Sequence, residues 1–189
     1  MNQEVKELLS LINKRAENLV LTGQSMCAEA VLTVLNQGLG GDLSREMAVR
    51  LTSGLSEGMG GTGCLCGAVN GGVLALGLFL GRNLTGFSRK KKINSAIKSL
   101  HDRFKDHFGS TCCKVLTKKN GYDRKEQFDH CAGLTGTTAE LAAEIILENR
   151  PELVDQADWE YLKHRDRKVT SRLKQAANIG FNMRNNTKC

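Results

Sequence analysis

The sequence has little proline and few aromatic residues, which are respectively the main breakers of helices and a class enriched in strands. It contains one proline, and Phe, Trp and Tyr together make up 5% of its 189 residues. Because proline interrupts helices and aromatic side chains favour strands, their scarcity argues against a β-rich fold. Apolar residues instead recur at helical spacing along most of the chain. The sequence predicts an all-α fold, a single compact helical domain.

Long apolar runs are also missing. The longest, residues 73–80, is far shorter than the roughly 20 residues that a membrane-spanning helix needs, and the polar residues 1–7 do not resemble a secretory signal. We therefore expect a cytoplasmic protein that makes no membrane contact. Thiols are kept reduced in that compartment, so the seven cysteines indicate metal or redox chemistry rather than structural disulfides.

Positive charge is concentrated near the C-terminal end. The net charge is +7, and residues 161–189 contain eight Lys or Arg against one acid, Asp166. We therefore divide the chain into a helical, cysteine-containing redox domain, residues 1–158, and a basic C-terminal helix and tail, residues 159–189. We interpret the tail as solvated rather than bound to nucleic acid, because a basic patch alone does not define such a contact.

The apolar spacing also places the individual helices. The predicted ranges are 5–20, 26–36, a helix from 44 that turns Met47, Leu51 and Leu55 inward, 68–80, 88–108, 111–118, 137–150 and 159–177, with a polar loop up to 129. The helix 68–80 is apolar all round, which indicates central burial. Its small residues predict a face against which another helix packs closely; these are Gly71, Gly72, Ala75 and Gly77.

Six of the seven cysteines fall at predicted helix ends or in loops. They are Cys27 in a first helical turn, Cys64 and Cys66 after a glycine-rich loop, Cys112 and Cys113 after a helix stop, and Cys131 in a short loop. A structural cysteine lies more often within a helix on its apolar face, so this pattern favours a shared site. Amides at helix starts and in glycine loops stabilise the anionic sulfur of thiolates and of iron–sulfur clusters.

Local spacing does not name the metal. No C-x-x-C pair occurs, which removes the usual thioredoxin and zinc-knuckle patterns. No phosphate-binding loop, Ser/His/Asp set or paired carboxylates stand out, so the sequence assigns no enzymatic reaction.

Three segments and one further cysteine carry a family resemblance. They are 24-QSMCAEA-30, 60-GGTGCLCGAVNGG-72, 108-FGSTCCKVL-116 and Cys131. In this order they resemble the family of redox-active proteins named for the pattern C_GCAxxG_C_C, which is related to the cluster-bearing domain of split-Soret cytochromes c. The resemblance covers about residues 19–148.

The resemblance implies an all-helical domain, a redox role and a [2Fe–2S] cluster like that of the split-Soret relatives. Matched by position, the four family cysteines are Cys27, Cys66, Cys113 and Cys131. Two of the other three cysteines, Cys64 and Cys112, are additional to the pattern, and either could substitute as a ligand.

The leading hypothesis is a redox-active, electron-transfer accessory protein whose four cysteines hold an iron–sulfur cluster. In this hypothesis Gly63 and Gly67 belong to the cofactor-binding loop. One alternative is a dithiol/disulfide protein without a cofactor, with Cys27 or Cys66 as the attacking thiol. Another is a structural zinc-binding module whose basic tail docks on an acidic partner. The expected partner is a redox protein, and a homodimer is compatible with all three.

Overall fold

The structure, a computed structural model, describes residues 2–81, 90–118 and 124–168, and within these ranges it is helical and contains no strand. The all-α prediction is confirmed. The elements are α1 (Gln3–Leu21), α2 (Cys27–Gly38), α3 (Arg45–Thr52), a short distorted α4 (Ser56–Met59), α5 (Gly67–Leu80), α6 (Lys90–Phe108), α7 (Cys113–Lys118), α8 (Arg124–Asn149), a 3₁₀ turn (Pro151–Val154) and α9 (Trp159–Lys163). Ser88, the predicted first residue of the helix that the structure shows as α6, lies outside the described residues.

The core is built where α1, α2, α5 and α8 pack against one another, with α6 on the outer side of α5 and α8. Leu8 and Ile12 of α1, Leu76 of α5 and Ile145 of α8 are almost completely buried in it. Helix α5 contacts four other helices, α2, α4, α6 and α8, so the predicted central burial of this apolar helix is confirmed. No helix in the described ranges is long and apolar enough to span a membrane.

Glycines on α5 permit close helix approach, as predicted, but not at every position. A Cβ atom on Gly71 would lie 2.5 Å from the carbonyl oxygen of Ala28 in α2, and one on Gly72 would lie 2.7 Å from the Leu100 side chain in α6. A Cβ on Gly77 would meet nothing within 4 Å. Gly77 is therefore not part of the close-packing face.

Helix α8 is longer than predicted. It runs unbroken from Arg124, so the prediction of a polar loop up to 129 and a new helix at 137 was wrong. The reason is tertiary packing: α8 lies along α1, and a Cβ on Gly136 would be only 2.5 Å from Oδ1 of Asn13. The Asn13 amide also donates to Glu140 at 2.6 Å. These contacts accompany an unbroken helix at Gly136, a residue that local sequence signals treat as a break.

Helix α3 begins as predicted, with the Ser44 hydroxyl accepting from the Met47 amide at 3.1 Å. Its inward face differs from the prediction. Met47 and Leu51 are 43% and 50% exposed, whereas Ala48 and Thr52 are fully buried. Small residues face the protein because α3 lies close to α2.

The last described segment packs back onto the first helices. Helix α9 ends at Lys163, where the backbone becomes extended. The predicted unbroken helix 159–177 was therefore wrong at residues 164–167, and its part from 169 onward lies outside the described residues. Leu162 is fully buried, and the Asp166 carboxylate accepts from Arg15 of α1 at 2.9 Å in a pair whose side chains are about 5% exposed. Residues 169–189, with Cys189, lie outside the described residues, and the division at residue 158 stays a prediction.

Candidate redox site

Four cysteines from distant parts of the sequence line one cavity of about 770 Å³ that is partly open to solvent. They are Cys27, Cys66, Cys113 and Cys131, the positions matched by the family pattern. Gly63 and Gly67 also line this space, which we call the cysteine cavity. The structure therefore brings together all four predicted ligands and both predicted loop glycines.

Three of these cysteines begin helices. Cys27 is the first residue of α2, Cys66 is the N-cap of α5, and Cys113 is the first residue of α7. The amides of a first turn have no partner within their helix and carry partial positive charge. Cys131 differs, because it lies inside α8 rather than in the predicted loop. Backbone polarity at the cavity is thus suited to negative charge on sulfur.

The glycine-rich loop before α5 takes a backbone shape that few side chains tolerate. Positive φ angles occur at Gly58, Gly60, Gly61 and Gly63, from 63° to 83°, a region that glycine enters without steric cost. Two non-glycine residues next to these glycines, Glu57 and Met59, also have positive φ angles.

Main-chain hydrogen bonds join this loop to the start of α7. The Lys114 amide donates to the Gly63 carbonyl at 3.0 Å, and the Cys66 amide donates to the Thr111 carbonyl at 2.7 Å. The two bonds hold Cys66 and the start of α7 at a fixed separation. The loop therefore positions two cavity cysteines together.

Gly67 is the point of closest approach to a cavity sulfur. A Cβ atom there would lie 2.5 Å from Cys27 Sγ, 3.0 Å from the Leu55 carbonyl oxygen and 3.1 Å from Ser56 Cα. Real Cβ atoms essentially never come within 3.0 Å of another heavy atom. Only glycine at this position leaves the Cys27 sulfur where it is.

Burial makes the Cys66 thiol difficult to ionise. Cys66 is 5% exposed, and loss of solvent, followed by the effect of the neighbouring Cys27 thiol, raises its pKa to about 12. The amides of Ala68 and Val69 oppose this rise in pKa. The Cys66 side chain nevertheless makes no capping hydrogen bond to the first turn of α5. Backbone polarity at the helix start therefore offsets only part of the cost of burial.

The other cavity thiols show the same effect. Burial, and then the nearby Cys27 thiol, raise the pKa of Cys131 to about 11 and raise that of Cys113 in the same direction. Each thiolate would repel the others across the cavity. In the absence of a cation, Cys66, Cys113 and Cys131 are therefore neutral thiols near pH 7.

The two additional cysteines lie beside the cavity rather than in its lining. Cys64 is exposed and Cys112 is half-buried, and all six described cysteines are free thiols. Cys112 Sγ donates to the Gly63 carbonyl oxygen at 3.4 Å. In the described part of the chain, no three His, Cys, Asp or Glu side chains are arranged to hold a metal ion as they stand. The ligand roles therefore stay predictions.

Sequence reasoning missed two charged residues in the cavity lining and one buried hydroxyl next to it. Glu57 and Lys114 line the cavity. Ser56 is 6% exposed and its buried hydroxyl has no hydrogen-bond partner among the described residues. Lys114 could have been found from its position directly after Cys113, but no local signal distinguishes the other two.

The fold and the cavity define a class: a helical protein in which four cysteines from separate helices share one site. A family model described as "Putative redox-active protein (C_GCAxxG_C_C)" matches residues 25–145, a range that contains all four cavity cysteines. The chain belongs to this family, and its general role is a redox one. No curated protein and no solved structure matches it.

Proposed function

We propose that this protein is an electron-transfer or redox-accessory protein that holds an iron–sulfur cluster in the cysteine cavity. The ligands would be Cys27, Cys66, Cys113 and Cys131. The observation that carries the proposal is that these four thiols, spread over three helix starts and one helix interior, line a single cavity. A bound cluster would supply one-electron transfer, with a potential set by burial and by hydrogen bonds to sulfur.

The composition of the cavity supports a cluster. Iron–sulfur clusters are most often held by four cysteine thiolates, and four thiols are available here. The space near Cys27 exists only because Gly67 has no side chain. The sulfurs are not in a ligating arrangement as they stand, so binding would require side-chain rotation toward the centre of the cavity.

The state of the thiols supports bound metal rather than thiol exchange at Cys66. An attacking cysteine needs an accessible thiolate, whereas Cys66 is almost fully buried and its pKa is raised to about 12. A bound metal deprotonates its thiol ligands outright and offsets the repulsion between them. Metal binding would therefore offset the unfavourable free energy of bringing these cysteines together in a buried cavity.

Zinc is the metal alternative, because four thiolates also form a structural zinc site. The membership of the chain in a redox-active family favours iron, since zinc has no redox chemistry. The two alternatives differ in whether sulfide accompanies the metal.

The test is anaerobic purification followed by an absorption spectrum and analysis of iron, zinc and acid-labile sulfide. We expect iron with sulfide in the wild-type protein. Single serine variants should separate the cysteines into two groups. Metal should be lost in Cys27→Ser, Cys66→Ser, Cys113→Ser and Cys131→Ser, and retained in the matched controls Cys64→Ser, Cys112→Ser and Cys189→Ser.

Three outcomes would contradict the proposal. Zinc without sulfide would identify a structural zinc module. Absence of metal, together with a reversible disulfide that includes Cys27 or Cys66, would identify a dithiol protein. Iron lost equally from the control variants would place the cluster elsewhere in the chain.

A further inference from the structure

We propose that Cys64 and Cys112 form a second redox site, a dithiol that oxidises to a disulfide beside the cysteine cavity. This inference goes beyond the proposed cluster and does not depend on it. Both residues are additional to the four positions of the family pattern, and both lie outside the cavity lining. The fold nevertheless brings them to the same short contact between the glycine loop and the start of α7.

Cys112 contacts the peptide group that joins Gly63 to Cys64, and this contact brings the two cysteines near each other. Cys112 Sγ lies 3.4 Å from the Gly63 carbonyl oxygen, which shares a planar peptide unit with Cys64 Cα. Standard bond lengths put those two atoms about 2.8 Å apart, so Cys112 Sγ is within about 6 Å of Cys64 Cα. Because Sγ lies about 2.8 Å from the Cα of its own residue, the two Cα atoms are within about 9 Å of each other. A disulfide holds its Cα atoms about 4.4–6.8 Å apart, so a loop shift of a few ångströms together with side-chain rotation brings the sulfurs together.

The local structure permits that shift and exposes the reacting groups. Cys64 is exposed, Cys112 is half-buried, and neither lies within a helix. Gly61 and Gly63 precede Cys64, and a Cβ on Gly61 would meet nothing within 4 Å. In contrast, Cys66 is nearly inaccessible and begins the buried helix α5. A small oxidant in solution therefore reaches Cys64 before it reaches the cysteine at the start of α5.

The chemistry is thiol–disulfide exchange with a small disulfide such as oxidised glutathione. The Cys64 thiolate attacks one sulfur of the oxidant, forming a mixed disulfide and releasing one glutathione thiolate, which is protonated. The Cys112 thiolate then attacks the Cys64 sulfur and releases the second glutathione. The two cysteines lose two protons and two electrons, and one glutathione disulfide becomes two thiols.

The bond would tie the glycine loop covalently to the residue before α7. That contact is already made by the hydrogen bond from Lys114 to the Gly63 carbonyl. In sequence, Cys64 lies two positions before Cys66, and Cys112 directly precedes Cys113. Oxidation of the outer pair would therefore restrict the segments that carry two cavity cysteines.

The experiment uses the full chain with Cys189→Ser, both as purified and after removal of metal. Each form is equilibrated with oxidised or reduced glutathione, its free thiols are alkylated, and the digest is mapped by mass spectrometry. We expect a peptide containing Cys64 joined to the peptide containing Cys112, formed with oxidised glutathione and lost with reduced glutathione. Cys112→Ser should instead accumulate glutathione on Cys64. Iron content in Cys64→Ser and in Cys112→Ser should equal that of the parent protein.

Three results would overturn the inference. The first is that Cys64 remains a free thiol under oxidising conditions. The second is a Cys64 disulfide that persists in Cys112→Ser because Cys113 is the true partner. The third is loss of iron in Cys64→Ser, which would make Cys64 a ligand. Because disulfide mapping does not require bound iron, a protein without iron that forms the Cys64–Cys112 link would contradict only the proposed cluster.

Discussion

Gly67 and Cys27 are in direct contact across the start of α5, and a single added carbon on Gly67 would lie 2.5 Å from the Cys27 sulfur. The same carbon would lie 3.0 Å from the Leu55 carbonyl and 3.1 Å from Ser56 Cα. Any side chain at residue 67 would therefore displace the Cys27 sulfur from its observed position.

From this contact we predict that Gly67→Ala lowers metal content and destabilises the protein by about 1–3 kcal/mol, the usual cost of overpacking. The matched control is Gly77→Ala in the same helix, which has open space around it and should stabilise the protein by about 0.5–1 kcal/mol. Metal per protomer and urea unfolding measure both effects. Equal behaviour of the two variants would show that the Gly67 contact is unimportant.

The raised pKa of Cys66 predicts slow alkylation of that residue in metal-free, reduced protein. Because its pKa rises from 9.0 to about 12, its thiolate fraction at pH 8 falls about a thousandfold, and burial slows reaction further. Cys64, which is exposed, should be labelled first by iodoacetamide, and the Cys66 rate should rise with pH through 11. Timed labelling with mass spectrometry measures this. In denaturant the two should react alike; comparable rates in the folded protein would contradict the prediction.

The buried pair between Arg15 and Asp166 predicts an acid-sensitive part of the stability. Burial alone raises the pKa of Asp166, but hydrogen bonds from Arg15 and Gln24 outweigh it and lower the pKa to about 2. A depressed folded-state pKa stabilises above the unfolded value of 3.8, and this stability is lost as pH falls toward 2. Asp166→Asn should therefore cost about 2 kcal/mol at pH 7, and its difference from wild type should shrink between about pH 4 and 2.

Chemical denaturation at a series of pH values tests this. Asp155→Asn is the control, because Asp155 is exposed in the same region of the chain and should change stability little. A loss of stability in Asp166→Asn that is independent of pH would mean that the pair does not act through charge.

Truncation after Asp158 should separate stability from the redox site. None of residues 159–168 lines the cysteine cavity, so metal per folded protomer should be unchanged. Thermal stability should fall, because truncation removes the buried Leu162 and the partner of Arg15. A shorter truncation after Lys168 keeps both contacts and serves as the control. Loss of metal from the longer truncation alone would show that α9 supports the cavity.

Local sequence signals were sufficient to predict most helices and to place two of the site cysteines at helix starts. The positions of Cys27 and Cys66 at helix starts follow from turn residues and apolar spacing that lie close to them in sequence. The continuity of α8 through Cys131 does not follow from nearby residues, because it depends on Gly136 fitting against Asn13. That contact spans more than 120 positions, so no local pattern records it.

The inward face of α3 was missed for a related reason. A helical pattern containing Met47 and Leu51 predicts their burial, yet both are about half exposed while Ala48 and Thr52 face α2. The choice between two faces depends on the space the neighbouring helix leaves. The meeting of the cysteines in one cavity likewise depends on helix packing, and the resemblance to a family, rather than spacing, identified the four that meet.

The helix starts at Cys27, Cys66 and Cys113 have a consequence for how the site responds to its surroundings. The partial positive charge of first-turn amides belongs to the backbone and neither gains nor loses protons in the physiological pH range. The contribution of these amides to the reduction potential of a centre bound there would accordingly be independent of pH in that range.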